Sequence, residues 1–127
     1  MAYAKLLNDI LGLLNNVNLY NKVIIGSMPS DNGIAMYLSA GAPDITDFKK
    51  NTINEISLVI NAKHENQLIC LQALSDIHKH LTTLKDYPGD ILDIETGTAP
   101  NYLGQEDNGQ WLYGSILDVK FIIRSDN

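Results

Sequence analysis

This sequence has little of what disulfide-bonded, nucleic-acid-binding and membrane proteins need. Its 127 residues include one cysteine, Cys70, which excludes an internal disulfide and a cysteine-rich metal cluster. Nine basic and fifteen acidic side chains give a net charge of −6, a poor basis for binding phosphates. No apolar run approaches the roughly 20 residues of a membrane span, and Asn8 and Asp9 interrupt the apolar N-terminal stretch, so no signal peptide is expected. We therefore expect a soluble domain without a membrane partner.

Patterns of catalysis are missing as well. Neither Gly26-Ser27 nor Gly114-Ser115 lies in a nucleophile-elbow pattern, and the sequence has no glycine-rich loop that could hold a phosphate. Cys70 lies in an apolar stretch, which favours a small buried side chain over a nucleophile. The sequence thus predicts neither enzyme activity nor a cofactor.

Metal ligands also lack the necessary spacing. His78 and His80 stand two residues apart on a predicted helix, so they point to different faces, and we expect both to be solvated. The segment Glu106-Asp107-Asn108-Gly109 lacks the alternating acids and distal Glu of a calcium loop and is typical of a turn. No metal site is predicted.

The clearest structural signal is a long central helix over Asn66–Lys85. Asn66 is a plausible N-cap, and Pro88-Gly89 stops the helix. Apolar residues recur along it at three- and four-residue spacing: Leu68, Leu71, Leu74, Ile77, Leu81 and Leu84. This pattern predicts one buried stripe facing a sheet.

Shorter segments supply the rest of the predicted fold. Tyr3–Asn16 has the spacing of a second, amphipathic helix. Strands are predicted at Lys22–Ser27 and Ile34–Ser39, which read as a hairpin, and at Thr52–Ala62, Asp90–Thr96 and Trp111–Arg124. Polar loops are predicted at Gly41–Lys50 and Gly97–Gly109. The sum is one α+β domain, 1–127, with a mostly antiparallel sheet of four to five strands covered on one face by both helices.

Two segments expose side chains that core formation does not explain. Ser27–Gly33 presents Met28 and Pro29, and Pro100–Gly104 presents Tyr102 and Leu103. Such residues on loops are enriched at protein interfaces, although each segment could instead fold back over the core. The residues predicted to form an interface are Met28, Pro29, Asp31, Tyr102, Leu103 and Trp111.

The same two segments resemble a known family. VIIGSMPSDNGIAMYLSAG, residues 23–41, resembles the N-terminal strand–turn–strand of tailed-phage minor capsid or tail terminator (tail completion) proteins. APNYLGQEDNGQWLYGSILDVKFIIR, residues 99–124, resembles the C-terminal signature of that family, and the order of elements matches over nearly the whole chain. Two departures are Glu106, where the family has Asp, and Gln110, where a basic residue often follows the turn.

The resemblance implies a structural protein of the virion, assembled in the bacterial cytoplasm. Family members form a ring, usually a hexamer, that caps the head-proximal end of the tail tube and stops its polymerisation. The implied partners are further copies of the chain, the tail tube protein and the head-completion complex, while DNA passes through without specific binding. Two alternatives remain at this stage: a neck or head–tail connector protein, and a small-ligand-binding α+β enzyme.

Overall fold

The computed structural model describes residues 2–46 and 52–123 as two helices and five strands. In chain order these are α1 (Ala2–Leu14), β1 (Val23–Ile25), β2 (Ile34–Thr46), β3 (Thr52–His64), α2 (Gln67–Thr82), β4 (Ile91–Gln105) and β5 (Trp111–Ile123). The strands form a single sheet in the order β1-β2-β3-β5-β4, in which β1 and β2 are parallel and all other neighbours antiparallel. The predicted α+β class is confirmed.

Both helices pack on the same face of this sheet. Alternate residues of β3 and β5 point toward them, including Leu58, Ile60, Leu117 and Val119, which are fully buried. Leu6, Ile10 and Leu14 of α1 join the same core cluster. The alternation predicted for Thr52–Ala62 and Trp111–Arg124 is therefore confirmed as far as Ile123; Arg124 lies outside the described residues.

The central helix begins as predicted, but its buried stripe is different. The Asn66 side chain accepts a hydrogen bond from the Leu68 amide at 3.0 Å, so Asn66 is the N-cap. Leu68 is 70% exposed and Leu71 is 37% exposed, whereas the buried side is formed by Cys70, Ala73, Leu74, Ile77, His78 and Leu81. The predicted stripe is wrong in its first turns, because apolar spacing alone allowed two adjacent faces and the position of the sheet selected one. It is also too long, because the helix ends at Thr82, before Leu84 and the predicted end at Lys85.

The predicted hairpin of the first two strands is wrong. β1 and β2 run parallel, with Val23 opposite Ile34 and the Gly26 amide donating to the Met36 carbonyl at 3.0 Å. The intervening segment reverses direction twice, with positive φ at Gly26 (108°) and at Asn32 (48°). Its turn residues correctly indicated a reversal, but composition does not reveal how many reversals a loop makes.

Two predicted loops are largely strand. β2 continues to Thr46 with register shifts on either side of Ala42, and Asp47–Lys50 lie outside the described residues. β4 continues to Gln105, although it contains Pro100. Proline is tolerated there because β4 is an edge strand whose pairing with β5 shifts register between Thr98 and Asn101. Only the Glu106–Gly109 turn remains of the second loop, and it is closed by a 2.9 Å hydrogen bond between these two residues.

Candidate functional site

The 26–33 segment and the turn after β4 meet at one end of the sheet. Asn108 donates from its side-chain amide to the Ser30 carbonyl at 3.3 Å and to the Asp31 carboxylate at 3.2 Å. The side chain of Gln110, which is buried, accepts a hydrogen bond from the Asn32 amide at 2.8 Å. These contacts join two segments that lie far apart in sequence into one continuous surface.

An ion pair with a buried ammonium and a partly exposed carboxylate lies at this junction. The ammonium of Lys63 on β3 is 2.7 Å from the carboxylate of Glu106, and the Lys63 side chain is only 7% exposed. The Tyr20 hydroxyl lies 2.9 Å from the carbonyls of both Gly33 and Lys63 and can donate to one at a time. Burial raises the pKa of Tyr20 far above its ordinary value, so this hydroxyl remains a donor. The side chains of Lys63 and Tyr20 therefore hold the junction against the end of β3.

Aromatic side chains gather on the helix-covered side, near the start of α2. The ring of Tyr102 on β4 lies 6.1 Å from that of Trp111 and 5.8 Å from that of Tyr113. The Tyr113 hydroxyl donates to the Gln67 side chain at 3.1 Å. Trp111 is half-buried against the core, while Tyr102 is exposed. Tyr102 is thus the outermost member of this aromatic group.

The six predicted interface residues do not form one patch. Met28 and Pro29 are half-buried and Asp31 is exposed, all at the loop junction. Tyr102 and Trp111 contact each other on the helix-covered face, whereas Leu103 lies on the opposite face over Gly114. The predicted loop carrying Tyr102 and Leu103 is instead part of β4, and alternation along a strand sends the two side chains to different faces.

The sheet face opposite the helices is not covered by any element of residues 2–46 and 52–123. Its half nearer the loop junction is mostly apolar: Tyr37 and Leu103 are exposed there, and Val59, Leu112 and Ile116 are half-buried, with the half-buried Asn61 among them beside Gly114. An exposed apolar patch is typical of an interaction site. We call this half the apolar half of the open face.

The other half of the open face is acidic. Glu95 on β4 pairs in register with Asp118 on β5, and Asp93 pairs with Lys120. Glu55 of β3 lies opposite Lys120 on its other side. The Asp118 carboxylate lies so close over Gly97 that a Cβ there would be 2.8 Å from both carboxylate oxygens. The sequence did not reveal which way these acids face; the strand register places them on the open face, away from the helices.

His78 corrects the prediction of solvated helix-end histidines. Its side chain is buried between α2 and β4, and Nδ1 lies 3.0 Å from the Thr96 hydroxyl. Nε2 is buried without a hydrogen-bond partner. Desolvation lowers the pKa of His78 from its ordinary value of 6.5. His80 is half-buried and its Nε2 lies 3.1 Å from the Leu13 carbonyl, which joins the two helices.

We expect His78 to make stability depend on pH. Because its pKa is lower in the folded chain, the unfolded chain binds more protons as pH falls below about 6.5. The free energy of unfolding should be highest above that pH and decrease as pH falls toward the folded-state pKa. Urea unfolding of the wild type and His78→Gln between pH 7.5 and 5 measures this, since glutamine can still bond Thr96 but does not titrate. Equal slopes in both proteins would contradict the assignment.

Cys70 is buried as predicted. Its thiol lies 3.5 Å from the Trp111 carbonyl, and burial raises its pKa to about 11. A protonated thiol at neutral pH is a poor nucleophile. Within the described ranges, no group of three or more His, Cys, Asp or Glu residues is placed to hold a metal ion. Likewise, neither helix is long and apolar enough to cross a membrane.

Sequence reasoning missed the residues that fix the loop junction. Lys63 directly follows the predicted strand Thr52–Ala62 and received no prediction, yet it is the buried partner of Glu106. Glu106 and Gln110 are the two positions that differ from the sequence pattern that residues 99–124 resemble, and each has a specific contact, to Lys63 and to Asn32 respectively. Those departures were the available signal, because an unusual residue beside a turn can indicate a tertiary contact.

No protein-family model matches the chain, and a search of curated proteins finds no match either.

Proposed function

We propose that the protein is a structural ring subunit of a phage or prophage tail, which caps the head-proximal end of the tail tube. The observation that carries this proposal is the open face of the sheet, divided into an apolar half and an acidic half. The resemblance of residues 23–41 and 99–124 to tail terminator proteins supplies the biological setting.

The apolar half suits a lasting protein contact. Tyr37 is 46% exposed and Leu103 is 52% exposed, on a rigid sheet that needs no rearrangement to bind. Aromatic side chains on a preformed surface give large contact area at little entropic cost. In the proposed assembly this half contacts tail tube protein or the head-completion complex.

The acidic half suits a passage for DNA. Glu55, Asp93, Glu95 and Asp118 all point to the open side, with Lys120 between them. If the helices face outward in the ring, these carboxylates line its channel. Four carboxylates outnumber the single Lys120 on this wall, so its net charge is negative and repels the phosphates of a duplex.

Deleting the gene from the phage that carries it tests the proposal, with tail length measured by electron microscopy. We expect overlong tubes without heads, because nothing stops tube polymerisation. Complementation by the wild-type gene should restore uniform length. Tails of normal, uniform length lying unattached beside heads would assign the protein to the neck instead, and fully infectious particles would overturn both roles.

A further inference from the structure

We propose that neighbouring copies join edge to edge, with β1 of one copy pairing with residues 93–96 of β4 in the next. The inference rests on the proposed ring and names its subunit interface. β1 and β4 are the two edges of the sheet, and within residues 2–46 and 52–123 no strand pairs with the outer side of either. An unpaired edge is a template for another strand.

β1 presents backbone groups to a partner. The Gly26 amide bonds the Met36 carbonyl of β2, and backbone groups alternate sides along a strand. The amide of Ile25 therefore points away from β2, toward the open edge. Ile24 and Ile25 are 37% and 45% exposed, which is unusual for two adjacent isoleucines.

β4 presents a segment of matching length. Its pairing with β5 shifts register between Ile91 and Asp93 and again between Thr96 and Thr98. Between these shifts, Asp93–Thr96 pair with Lys120–Leu117 without interruption. Irregular edges resist strand addition, so this regular stretch is the part of β4 best suited to accept the three residues of β1.

A cavity lies beside β1 on the helix-covered side of the sheet, where Thr96 is the one exposed side chain among residues 93–96 of the added strand. Its volume is about 490 Å³ and it lies between the end of α1 and β1. Leu11, Leu14 and Val23 are among its apolar lining residues, and Asn18 and Lys22 among its polar ones. Strand addition gains affinity from main-chain hydrogen bonds and specificity from such pockets for alternate side chains.

Opposite charges at the two sheet edges indicate that the strand added to each edge comes from a second copy of this chain. Lys22, next to β1, is the only charged residue between Ile10 and Ser30. From Tyr87 to Val119, which includes all of β4, every charged residue is acidic. Lys22 and the carboxylates of Asp93 and Glu95 would thus meet across the contact. Complementary charge of this kind selects one edge pairing over β1–β1 or β4–β4.

The topology allows this contact to close. One parallel pairing and three antiparallel pairings separate β1 from β4, so β4 runs antiparallel to β1. A neighbour rotated about an axis along the strands therefore places its β1 antiparallel to β4. The two surfaces differ, so the interface is heterologous, and a rotational repeat of such an interface generates a ring.

Blocking the β1 edge is the first test. Ile25→Pro removes the outward amide but no β1–β2 hydrogen bond, and edge positions tolerate proline. We expect the wild type to have the native mass of a ring, and Ile25→Pro to remain monomeric at concentrations at least tenfold above the wild-type midpoint. Ile25→Ala, which keeps the amide, should still assemble. Circular dichroism establishes that each variant is folded.

Charge exchange tests the pairing of edges even if the proline variant fails to fold. At low salt, Lys22→Glu and Glu95→Lys should each assemble several-fold more weakly, while an equimolar mixture and the double variant Lys22→Glu/Glu95→Lys should recover. Lys79→Glu, the same change on the exposed side of α2, is the control and should assemble normally.

The outcomes separate this inference from the proposed function. A wild-type ring that Ile25→Pro, Lys22→Glu and Glu95→Lys leave unchanged overturns the edge contact and leaves the ring standing. A wild type that is monomeric at every concentration overturns the ring, and the edge contact with it. Loss of assembly in each single charge variant and its recovery in the mixture supports both.

Discussion

Leu74→Ala is expected to lower the free energy of unfolding by about 3–5 kcal/mol. Leu74 is fully buried between α2 and the sheet, so truncation removes apolar burial and leaves a cavity in a close-packed core. Urea unfolding monitored by circular dichroism measures the loss.

Leu68→Ala is the matched control on the same helix. Sequence periodicity places both leucines on one stripe, but Leu68 is 70% exposed. We expect its substitution to change the unfolding free energy by no more than about 0.5 kcal/mol. Equal losses at the two positions would mean that α2 is rotated about its axis, so that Leu68 also faces the sheet.

Glu106→Ala is expected to cost about 1–3 kcal/mol, because it leaves the Lys63 ammonium buried without its carboxylate. The loss should lie in the lower part of that range, because Glu106 is partly exposed and water can reach its side of the pair. Asp107→Ala, in the same turn and exposed, should be close to neutral. Thermal and urea unfolding compare the two.

A third variant distinguishes the stabilisation that the ion pair provides from the destabilisation caused by a buried ammonium without a partner. Lys63→Met removes the ammonium while keeping a long apolar side chain, and replacing a buried charge in this way is often nearly neutral. In the double variant Lys63→Met/Glu106→Ala, most of the loss seen with Glu106→Ala should disappear. A double variant as unstable as Glu106→Ala would show that Glu106 acts through some contact other than Lys63.

The loop junction links these stability effects to the proposed role. Lys63 and Tyr20 hold the ends of both segments, and Asn108 and Gln110 join them. Met28, Pro29 and Asp31 are thereby presented on a fixed surface, which favours binding without a cost of ordering. Glu106→Ala should therefore loosen this surface as well as destabilise the fold.

Local signals in the sequence determined much of the architecture. The Asn66 cap and the apolar spacing after it located α2, because capping and helical periodicity depend on residues within a turn or two. Period-two alternation located β3 and most of β5 and showed which side faces the core. From these elements alone, an α+β fold with helices on one face of a mostly antiparallel sheet followed.

Tertiary structure decided whatever depends on a distant partner. β1 and β2 became parallel because the 26–33 segment reverses twice and is tied to Asn108 and Gln110, which lie far along the chain. β4 extends past Pro100 because β5 offers it a partner along its whole length. His78 and Lys63 are buried because distant segments pack against them: β4 brings Thr96 to His78, and the turn after β4 brings Glu106 to Lys63. Pairing, register and burial of polar groups are properties of two segments together, and a pattern within either segment does not contain them.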